Sequence, residues 1–560
     1  MIESDDIGDY MKTVKTTSGS KEETRRKLNS NVKKSVVVSG LVGTAGFFIA
    51  KAIGLIYAIP FASILGSDAL MNYYGTAYRI YSYILNIFTA GFPFAIATMV
   101  SAYIAKGNNR VAVQVKRLAL LFMTLIGFLG MIIMMALSAV FARIVTDVDE
   151  GIHIMTVVLC LLALAVFFVP ILSAVRGFIQ GCKEMEEYAF SQAFEQVFRV
   201  AFLLSFACLF VYVFKMARVW ALYAAVMSTS VAAVAAIVQI HKSSVQCEKT
   251  LLKEAKGQKT KSMPIKPLAK EFILLAVPYM LSAILGYSDD IFNTLLLPTG
   301  LRLSKLSAAE IDTVMSAVNY AGTKLMSIPM ILAPGFTAAI VPHLSEALAR
   351  NDQKTIRKDI VECINIVLFM GGLISFLIAL YARPIYYSLF RTDDLALAAN
   401  SVQWLCIEGF LGTIAPVLAS LMMALHRFKS LIRRLLVQTL IKGVLIVPLT
   451  MLFGFPGAVI ATMISYGYLI TFNYLELKHS YKVKSRSSAG VIVATLIGLI
   501  AVWIVATVLG RFGLGSVDHG RVYCFITMCV NGLVSLIVFV VIEWFMGVPQ
   551  KLFHLGRKSA

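Results

Sequence analysis

Apolar runs of about 18 or more residues recur along the whole sequence, and this feature constrains the fold more than any other. A run of this length is long enough to cross the hydrocarbon core of a bilayer as an α-helix. Inside lipid, each backbone N–H and C=O group must be satisfied within its own segment, so such runs are predicted to be helices. The sequence therefore predicts an all-α polytopic membrane protein.

The apolar runs define about fourteen transmembrane spans, which are numbered here in chain order. Composition agrees, because 58% of the residues are hydrophobic, only 15% are charged, and the mean hydropathy is +0.79. The predicted spans are 36–62, 73–104, 117–142, 153–180, 188–214, 219–241, 271–298, 318–347, 358–382, 396–424, 433–454, 456–477, 488–510 and 522–546.

The positive charge alternates between loops. The net charge is +20, and the N-terminus, every second loop and the C-terminal tail hold most of the lysines and arginines, which is the pattern of membrane topology rather than of a nucleic-acid-binding face. The intervening loops hold only Arg143, Lys215, Arg218, Arg302, Lys305, Arg383, Arg391, Arg511 and Arg521. The alternation stays in phase to the end, so we expect both termini in the cytoplasm, a location in the bacterial cytoplasmic membrane and no nucleic-acid partner.

An internal repeat suggests two lobes. The segment 91–96 (GFPFAI) is similar to 335–340 (GFTAAI), and the similarity continues to residues 106 and 350. The copies belong to spans 2 and 8, which are six spans apart, so both cross the membrane in the same direction, as in transporters built from parallel repeats. The predicted divisions are a basic cytoplasmic tail (1–35), a first lobe of spans 1–6 (36–241), a basic linker (242–270), a second lobe of spans 7–12 (271–477), spans 13 and 14 (478–546) and a cytoplasmic tail (547–560).

Three basic residues lie within spans and have no acid three or four residues away. They are Lys51 in span 1, Arg79 in span 2 and Lys324 in span 8. A charge at bilayer depth costs at least about 2.5–3.5 kcal/mol, so each is expected to face a cavity or a partner. Cations without local acids favour a polyanionic head group such as a diphosphate, with salt bridges between the lobes as the alternative.

Other charges within the spans leave more alternatives open. Glu195 and Arg199 are four apart and either neutralise each other as a local pair or contact the substrate. Arg176 and Glu476 lie near the inner ends of spans, where long side chains extend to the interface. Glu362 and Glu408 are candidates for struts between the lobes.

Two further groups concern coupling and movement. Asp289 and Asp290 in span 7 are the candidate site for a coupling ion, and adjacent residues on a helix face about 100° apart. The predicted hinges are breaks in spans 2 and 8, because glycine and proline bend membrane helices where neighbours satisfy the backbone. They are Gly91, Pro93, Pro329, Pro334 and Gly335.

Motifs of soluble enzymes are missing from the sequence. There is no Walker A motif or HExxH motif, and the eight cysteines form no CxxC pair. A membrane-embedded enzyme would need converging catalytic groups at an interfacial loop, and the outer loops offer only the Asp147, Asp149 and Glu150 cluster. We therefore expect a transporter with neither metal nor cofactor rather than an enzyme.

Residues 176–181 (RGFIQG) and 191–200 (SQAFEQVFRV) carry a resemblance to a known family. They resemble the RG-[FY]-x-QG and SQ-x-x-EQ-x-x-RV signature of the polysaccharide transporters, which include the stage V sporulation protein B-like proteins. This family is part of the multidrug/oligosaccharidyl-lipid/polysaccharide (MOP) exporter superfamily, together with the MurJ-type lipid II flippases. The resemblance covers nearly the whole chain.

The resemblance implies a monomeric flippase that contacts membrane lipids and moves an undecaprenyl-diphosphate-linked saccharide by alternating access. The peptidoglycan precursor lipid II is the first candidate for that partner. In MurJ-type members, cations of spans 1, 2 and 8 engage the diphosphate. Lys51, Arg79 and Lys324 stand at the matching places, with lysine replacing arginine twice.

The resemblance also bears on coupling. Some relatives bind sodium through an acid of span 7 and polar residues of span 11, which here are Asp289 or Asp290 with Gln438 and Lys442. Gln438 and Lys442 are alternatively substrate or interlobe residues. An amine in the ion's place leaves sodium, protons and membrane potential open as driving forces. Spans 13 and 14 would extend a groove for the lipid tail.

Two other transport functions remain open at this point. One is a multidrug or cation antiporter of the same superfamily, although organic cations favour acidic and aromatic cavities. The other is a flippase for a different lipid-linked polysaccharide unit.

Overall fold

The computed structural model describes residues 53–552 apart from 55, 90, 257–261, 331–343, 345–347, 349–351, 426 and 483–485. These described residues are almost entirely helical and contain no strand, as the sequence predicts. The predicted site residue Lys51 and the predicted hinge residues Pro334 and Gly335 lie outside them, as does the predicted tail 1–35.

The helices follow one another with short connections. In the first half they are α1 (Ala58–Leu65), α2 (Asp68–Thr89), α3 (Phe92–Ala105), α4 (Asn109–Val145), α5 (Asp149–Gly181), α6 (Met185–Cys208) and α7 (Val219–Ala255). In the second half they are α8 (Ile265–Gly286), α9 (Ser288–Leu295), α10 (Leu297–Leu303), α11 (Ala308–Ser316), α12 (Thr323–Met330), α13 (Gln353–Leu380), α14 (Ala382–Leu389), α15 (Leu395–Ala424), α16 (Phe428–Phe453), α17 (Phe455–Tyr481), α18 (Arg486–Arg511), α19 (Arg521–Phe545) and α20 (Val548–Leu552). Short π-helices occupy Leu209–Val213 and Ala317–Gly322.

Ten helices of the described chain are long and apolar enough to cross a membrane. They coincide with predicted spans 3–6 and 9–14, so the chain is a multi-pass membrane protein. Predicted spans 2, 7 and 8 are instead divided into shorter helices, and predicted span 1 begins outside the described residues. The interrupted spans 2, 7 and 8 therefore include those that carry Arg79, Lys324 and the candidate coupling-ion residues Asp289 and Asp290.

Local sequence explains where several helices begin and end. Helix α1 ends at Gly66, whose φ of 65° is the left-handed conformation that glycine adopts freely, and its N–H donates to the Ala62 carbonyl. Helix α11 begins with a capping box in which the Ser307 hydroxyl accepts from the Glu310 N–H and the Glu310 carboxylate accepts from the Ser307 N–H. These caps satisfy backbone groups that a helix end leaves unpaired.

The predicted linker is partly helical. Helix α7 continues from span 6 to Ala255, well into the predicted linker 242–270, because no glycine or proline interrupts this stretch before Gly257. The extension is held to span 3, where the Lys116 ammonium lies 2.9 Å from the Glu248 carboxylate. Burial opposes ionisation of Glu248, but Lys116 and Arg117 hold the pKa of this carboxyl below its usual value.

Two groups of helices form the body of the protein. Spans 3, 4, 5 and 6 pack together in the first half, whereas spans 9, 10, 11 and 12 pack together in the second, with span 13 between spans 9 and 14. Spans 2, 7 and 8 lie at the contact between the groups. The predicted residue limits of the lobes stay a prediction.

At the predicted outer side, span 2 packs closely against span 8. The Asn72 amide donates to the Asp312 carboxylate at 2.8 Å, and the Asn319 amide donates to the Thr76 hydroxyl at 2.7 Å. The Asp68 carboxylate accepts from the Thr313 hydroxyl at 3.1 Å. We call this contact the outer seam. Because it joins the two groups of helices, it closes the space between them at that side.

Candidate functional site

A π-helix at the start of span 8 positions the side chains that follow it. It runs from Ala317 to Gly322 and ends directly before Thr323 and Lys324, so its wider turn sets the direction of both side chains. A Cβ atom added at Gly75 of span 2 would lie 2.6 Å from the backbone carbonyl carbon and oxygen of Asn319. Only glycine at this position allows the two backbones to approach so closely.

Arg79 joins the two groups of helices about two turns from the predicted outer end of span 2. Its guanidinium lies 2.7 Å from the Asp290 carboxylate and donates to the Thr323 hydroxyl at 2.9 Å and to the Val318 carbonyl at 3.2 Å. The Arg79 side chain is 12% exposed and that of Asp290 is 51% exposed, so the pair borders an accessible space. The structure thus forms the interlobe salt bridge that the sequence left as an alternative for Arg79.

Lys324 directly follows Thr323, a hydrogen-bond partner of Arg79, but has a different environment. Its ammonium lies over the Tyr57 ring at 5.0 Å from the centroid and donates to the Tyr57 hydroxyl at 3.4 Å. No described carboxylate lies within ion-pair distance of this ammonium. Tyr57 also faces the positive charge of Arg199. Two cations therefore border the same tyrosine, and neither is paired with a carboxylate.

Of the two alternatives that the sequence left open for Glu195 and Arg199, the structure does not form the local pair, and a role in binding substrate stays a prediction. Glu195 pairs with Arg176 of span 4 at 2.7 Å instead of with Arg199. Arg176 also donates to the Ser191 hydroxyl and carbonyl, so it is held inside the protein and does not extend to the interface. Arg199 donates to the Gln196 amide oxygen at 2.6 Å. Glu195 pairs with Arg176 on the neighbouring helix because the planar guanidinium, held by Ser191, offers several directed hydrogen bonds.

Sequence reasoning missed the tyrosines that surround these cations. Tyr57 and Tyr74 share a hydrogen bond of 3.1 Å between their hydroxyl groups, and the Tyr78 hydroxyl contacts the Thr229 hydroxyl. The rings of Tyr74 and Tyr78 are 4.6 Å apart. The available signal was the density of tyrosine in residues 72–83 (NYYGTAYRIYSY), which is unusual for a span. Hydroxyl donors beside cations suit a ligand with both phosphate and sugar groups.

The two neighbouring aspartates of span 7 face different partners. Asp290 contacts Arg79, whereas the Asp289 carboxylate lies 3.4 Å from the Lys442 ammonium of span 11. Lys442 is fully buried and also donates to the Ala458 carbonyl at 3.1 Å and to the Thr462 hydroxyl. The predicted meeting of span 7 acids with a span 11 lysine is present, although a role in coupling stays a prediction.

Glu408 of span 10 lies beside Asp289, Lys442 and Thr462, and these four residues form a polar cluster in the second group of helices. Its carboxylate accepts from the Asn293 amide at 3.0 and 3.2 Å and from the Thr462 hydroxyl at 3.4 Å. All these residues belong to spans 7–12, so the prediction of Glu408 as a strut between the lobes is wrong. Gln438, one helical turn before Lys442, is buried as well. Glu362 pairs with Lys358 one turn away on the same helix at 3.6 Å.

The predicted breaks in span 2 are present, and further breaks were missed. Gly91 has a φ of 87° between α2 and α3, and Pro93 lies in the first turn of α3. Pro329 lies inside α12. Span 7 is broken at Tyr287 and again at Leu296, which isolates the short helix that carries Asp289, Asp290 and Asn293. Whether these breaks act as hinges stays a prediction.

Comparisons with known proteins agree with this architecture. Residues 36–348 match the model of the family described as "Polysaccharide biosynthesis protein". The chain belongs to this family. It is 27% identical over 533 residues to the protein named "Lipid II flippase MurJ" of Bacillus subtilis (strain 168), covering 92% of this chain and 96% of that protein. It is 23% identical over 347 residues to the "Uncharacterized membrane protein YabM" of the same strain, covering 62% of each.

Solved structures share the fold. The structure described as "Lipid II flippase MurJ, inward closed conformation" matches with a TM-score of 0.62 and 12% identity, covering 90% of this chain and 99% of that one. An inward-facing multidrug resistance MATE transporter of the MOP superfamily matches with a TM-score of 0.58 and 13% identity, covering 79% and 96%. The predicted fold class and the prediction of a transporter rather than an enzyme are confirmed.

Proposed function

We propose that this protein is a flippase that moves an undecaprenyl-diphosphate-linked saccharide across the cytoplasmic membrane, with lipid II as its substrate. The coarser part of this proposal, a MOP-type flippase for a lipid-linked molecule, is supported by the family and by the similarity to the Bacillus subtilis flippase. Lipid II itself is the finer part and needs a direct test.

The observation that carries the proposal is a pair of cations without an ion-paired acid among the described residues. Lys324 and Arg199 both face Tyr57, and no described carboxylate lies at ion-pair distance from either of them. A fixed cation at this depth is costly unless an anion reaches it, so the site favours a negatively charged ligand. A diphosphate supplies that charge, and the tyrosine hydroxyls supply hydrogen bonds to the phosphate or the attached sugar.

Arg79 has a different part in this proposal. Its bond to Asp290 joins the two groups of helices next to the cations, so a diphosphate entering the space competes with the Asp290 carboxylate for the guanidinium. Exchange of one anion for the other would loosen the contact between the lobes as substrate binds. This links substrate binding to the rocking motion that alternating access requires.

Complementation tests the proposal. The protein is expressed in a strain depleted of its own lipid II flippase, and growth and the accessibility of lipid II at the outer leaflet are followed. We expect rescue by the wild type and loss of rescue by Arg79→Ala, Lys324→Ala and Arg199→Ala. Arg117→Ala is the matched control, because Arg117 is 68% exposed and its ion-pair partner is Glu248 of the predicted linker rather than a residue of the site.

Membrane insertion of each variant is measured in parallel. Normal insertion together with rescue by all three cavity variants would contradict the assigned roles. A wild type that inserts but does not rescue would exclude lipid II, and a resistance profile against cationic drugs would then test the multidrug alternative.

A further inference from the structure

The cluster inside the second lobe contains one more acid than its bases can balance. Asp290 is paired with Arg79 and Asp289 with Lys442, which leaves the Glu408 carboxyl without a basic partner of its own. The charged and titratable groups that face Glu408 are Asp289 and Asp290 of span 7, Lys442 of span 11, Arg79 of span 2 and Tyr466 of span 12. A third ionised carboxylate in this position would be repelled by the other two.

The hydrogen bonds of the cluster show a shortage of donors. The buried acceptor Asn293 Oδ1 has no hydrogen-bond partner among the described residues, and Asp289 Oδ1 has only the Lys442 ammonium at 3.4 Å. Within the described chain, Glu408 receives hydrogen bonds only from the neutral groups of Asn293 and Thr462. One additional proton would supply a donor, because a half-turn of the Asn293 amide presents its oxygen to a protonated Glu408.

A metal cation is a poor candidate for the missing positive charge. The place among the Asp289 carboxylate, the Ala458 carbonyl and the Thr462 hydroxyl is already taken by the Lys442 ammonium. A second cation beside it would be repelled at short range in a region of low dielectric. A proton bound covalently to a carboxylate adds the same charge without needing that space.

We propose that Glu408 is the proton-binding residue of this transporter and that the ammonium of Lys442 is a permanent substitute for a bound metal cation. Glu408 is partly exposed, whereas Asp289 and Lys442 are buried. Asp290 is more exposed but is ion-paired with Arg79, so Glu408 is the accessible acid of the cluster that is left to take up a proton. This inference rests on the proposed function and adds to it the proton as the ion that drives the flippase.

The short helix α9 connects the proton site to the contact between the lobes. Asn293, which binds Glu408, and Asp290, which binds Arg79, both belong to it. The breaks at Tyr287 and Leu296 separate this helix from the rest of span 7. Protonation of Glu408 therefore changes the hydrogen bonding of the same short helix that presents Asp290 to Arg79.

Infrared spectroscopy of the purified full-length protein tests the site without any substrate. Glu408→Gln replaces the proposed protonated carboxyl group with a neutral amide of similar shape. We therefore expect the variant to have a weaker carbonyl band of protonated carboxyl groups. Glu543, which is buried without a hydrogen-bond partner in span 14, should keep part of that band. The matched control is Glu476→Gln, since Glu476 is ion-paired with Arg434 at 2.6 Å and should not contribute.

The free energy of unfolding of Glu408→Gln provides a second test. Glu408→Gln should be at least as stable as the wild type at neutral pH, because it keeps the hydrogen bonds and removes the need for a proton. An unchanged infrared band, or a variant that is much less stable than the wild type, would overturn the proposal.

Transport in liposomes supplies the functional reading. With fluorescent lipid II as the probe, we expect a pH difference of one unit to change the wild-type accumulation ratio by up to about tenfold, and a sodium gradient to have no effect. Glu408→Gln should lose the response to pH. Transport that follows sodium and ignores pH would overturn the proton site. A failure of the wild type to move lipid II at all would contradict only the substrate, since the infrared result does not depend on it.

Discussion

Asp289 and Asp290 are adjacent in sequence, but they serve two regions with opposite physical character. Asp290 faces the space between the lobes, is half-exposed and meets an arginine from span 2. Asp289 faces the interior of the second lobe, is nearly inaccessible and meets a lysine that is fully buried. The turn of the helix between adjacent residues directs one carboxylate to each region.

The difference teaches which ion pair can change during transport. An exposed pair is screened and contributes little to stability, so it can break and re-form as the lobes move. A buried pair is expensive to break, because each partner then remains in a low dielectric without compensation. We therefore expect substitutions in the buried region to act first on stability and those in the exposed region to act first on transport.

The largest effect is expected for Lys442→Met. This change removes the buried cation and leaves Asp289 unpaired, which should lower the free energy of unfolding by about 3–5 kcal/mol. Thermal unfolding in detergent measures it. The double variant Lys442→Met/Asp289→Asn should recover most of the loss because it removes the stranded charge. A single variant as stable as the wild type would show that the pair is not ionised.

Arg79→Lys should have an intermediate effect and a different signature. Lysine keeps the charge but cannot bind Asp290, Thr323 and the Val318 carbonyl together as the planar guanidinium does. We expect lipid II transport to fall by roughly 10–100-fold, with a stability change below about 1 kcal/mol. Equal losses of stability in Arg79→Lys and Lys442→Met would contradict the distinction between an exposed ion pair that acts on transport and a buried ion pair that acts on stability.

Gly75→Ala tests whether the exposed region depends on closure of the outer seam. The added methyl group would collide with the backbone of Asn319, and such overpacking costs about 1–3 kcal/mol. We expect the seam to open more often, so that a cysteine placed at Thr76 reacts faster with a membrane-impermeant maleimide. Gly286→Ala is the control, because nothing lies within 4 Å of its added Cβ atom. Identical labelling rates in both variants would contradict the assignment of the seam.

The smallest effect is expected at Glu248, which lies outside both regions. Its pKa is lowered in the folded protein, so its ionised form stabilises the fold above the usual glutamate pKa, and this contribution is lost as the pH falls through the lowered value. At neutral pH, Glu248→Gln should cost about 0.2–1 kcal/mol. Unfolding measured across acidic pH should show the two proteins converging, and a constant difference would argue against the ion pair.

The sequence predicted the architecture better than the pairing of charges. Apolar runs and alternating loop charges identify membrane helices directly, because the bilayer imposes length and polarity on each span separately. The uninterrupted spans 3–6 and 9–14 were therefore found. The breaks at Tyr287 and Leu296 were missed although Gly286 and Pro298 lie beside them. Both residues also occur inside continuous membrane helices, so the apolar run alone was taken as one span.

The partners of Glu195, Arg176 and Glu408 depend on which helices touch. The helical spacing of four residues favours a pair of Glu195 with Arg199. The structure instead pairs Glu195 with Arg176 of span 4, whose guanidinium also donates to the Ser191 carbonyl. The contact of Asp289 with Lys442 was anticipated only through a resemblance to a family. Its fully buried environment appears once spans 7, 10, 11 and 12 are packed together.

The burial of Lys442 has a consequence for the kinetics of the transporter. A cation attached to the chain has an effective concentration set by its tether and not by the medium. The occupancy of such a site by the Lys442 ammonium does not depend on the external salt concentration, so the site neither saturates at high salt nor empties at low salt. Because the ammonium is part of the chain, it is not transported across the membrane. A protein built in this way would work at the same rate over a wide range of external sodium.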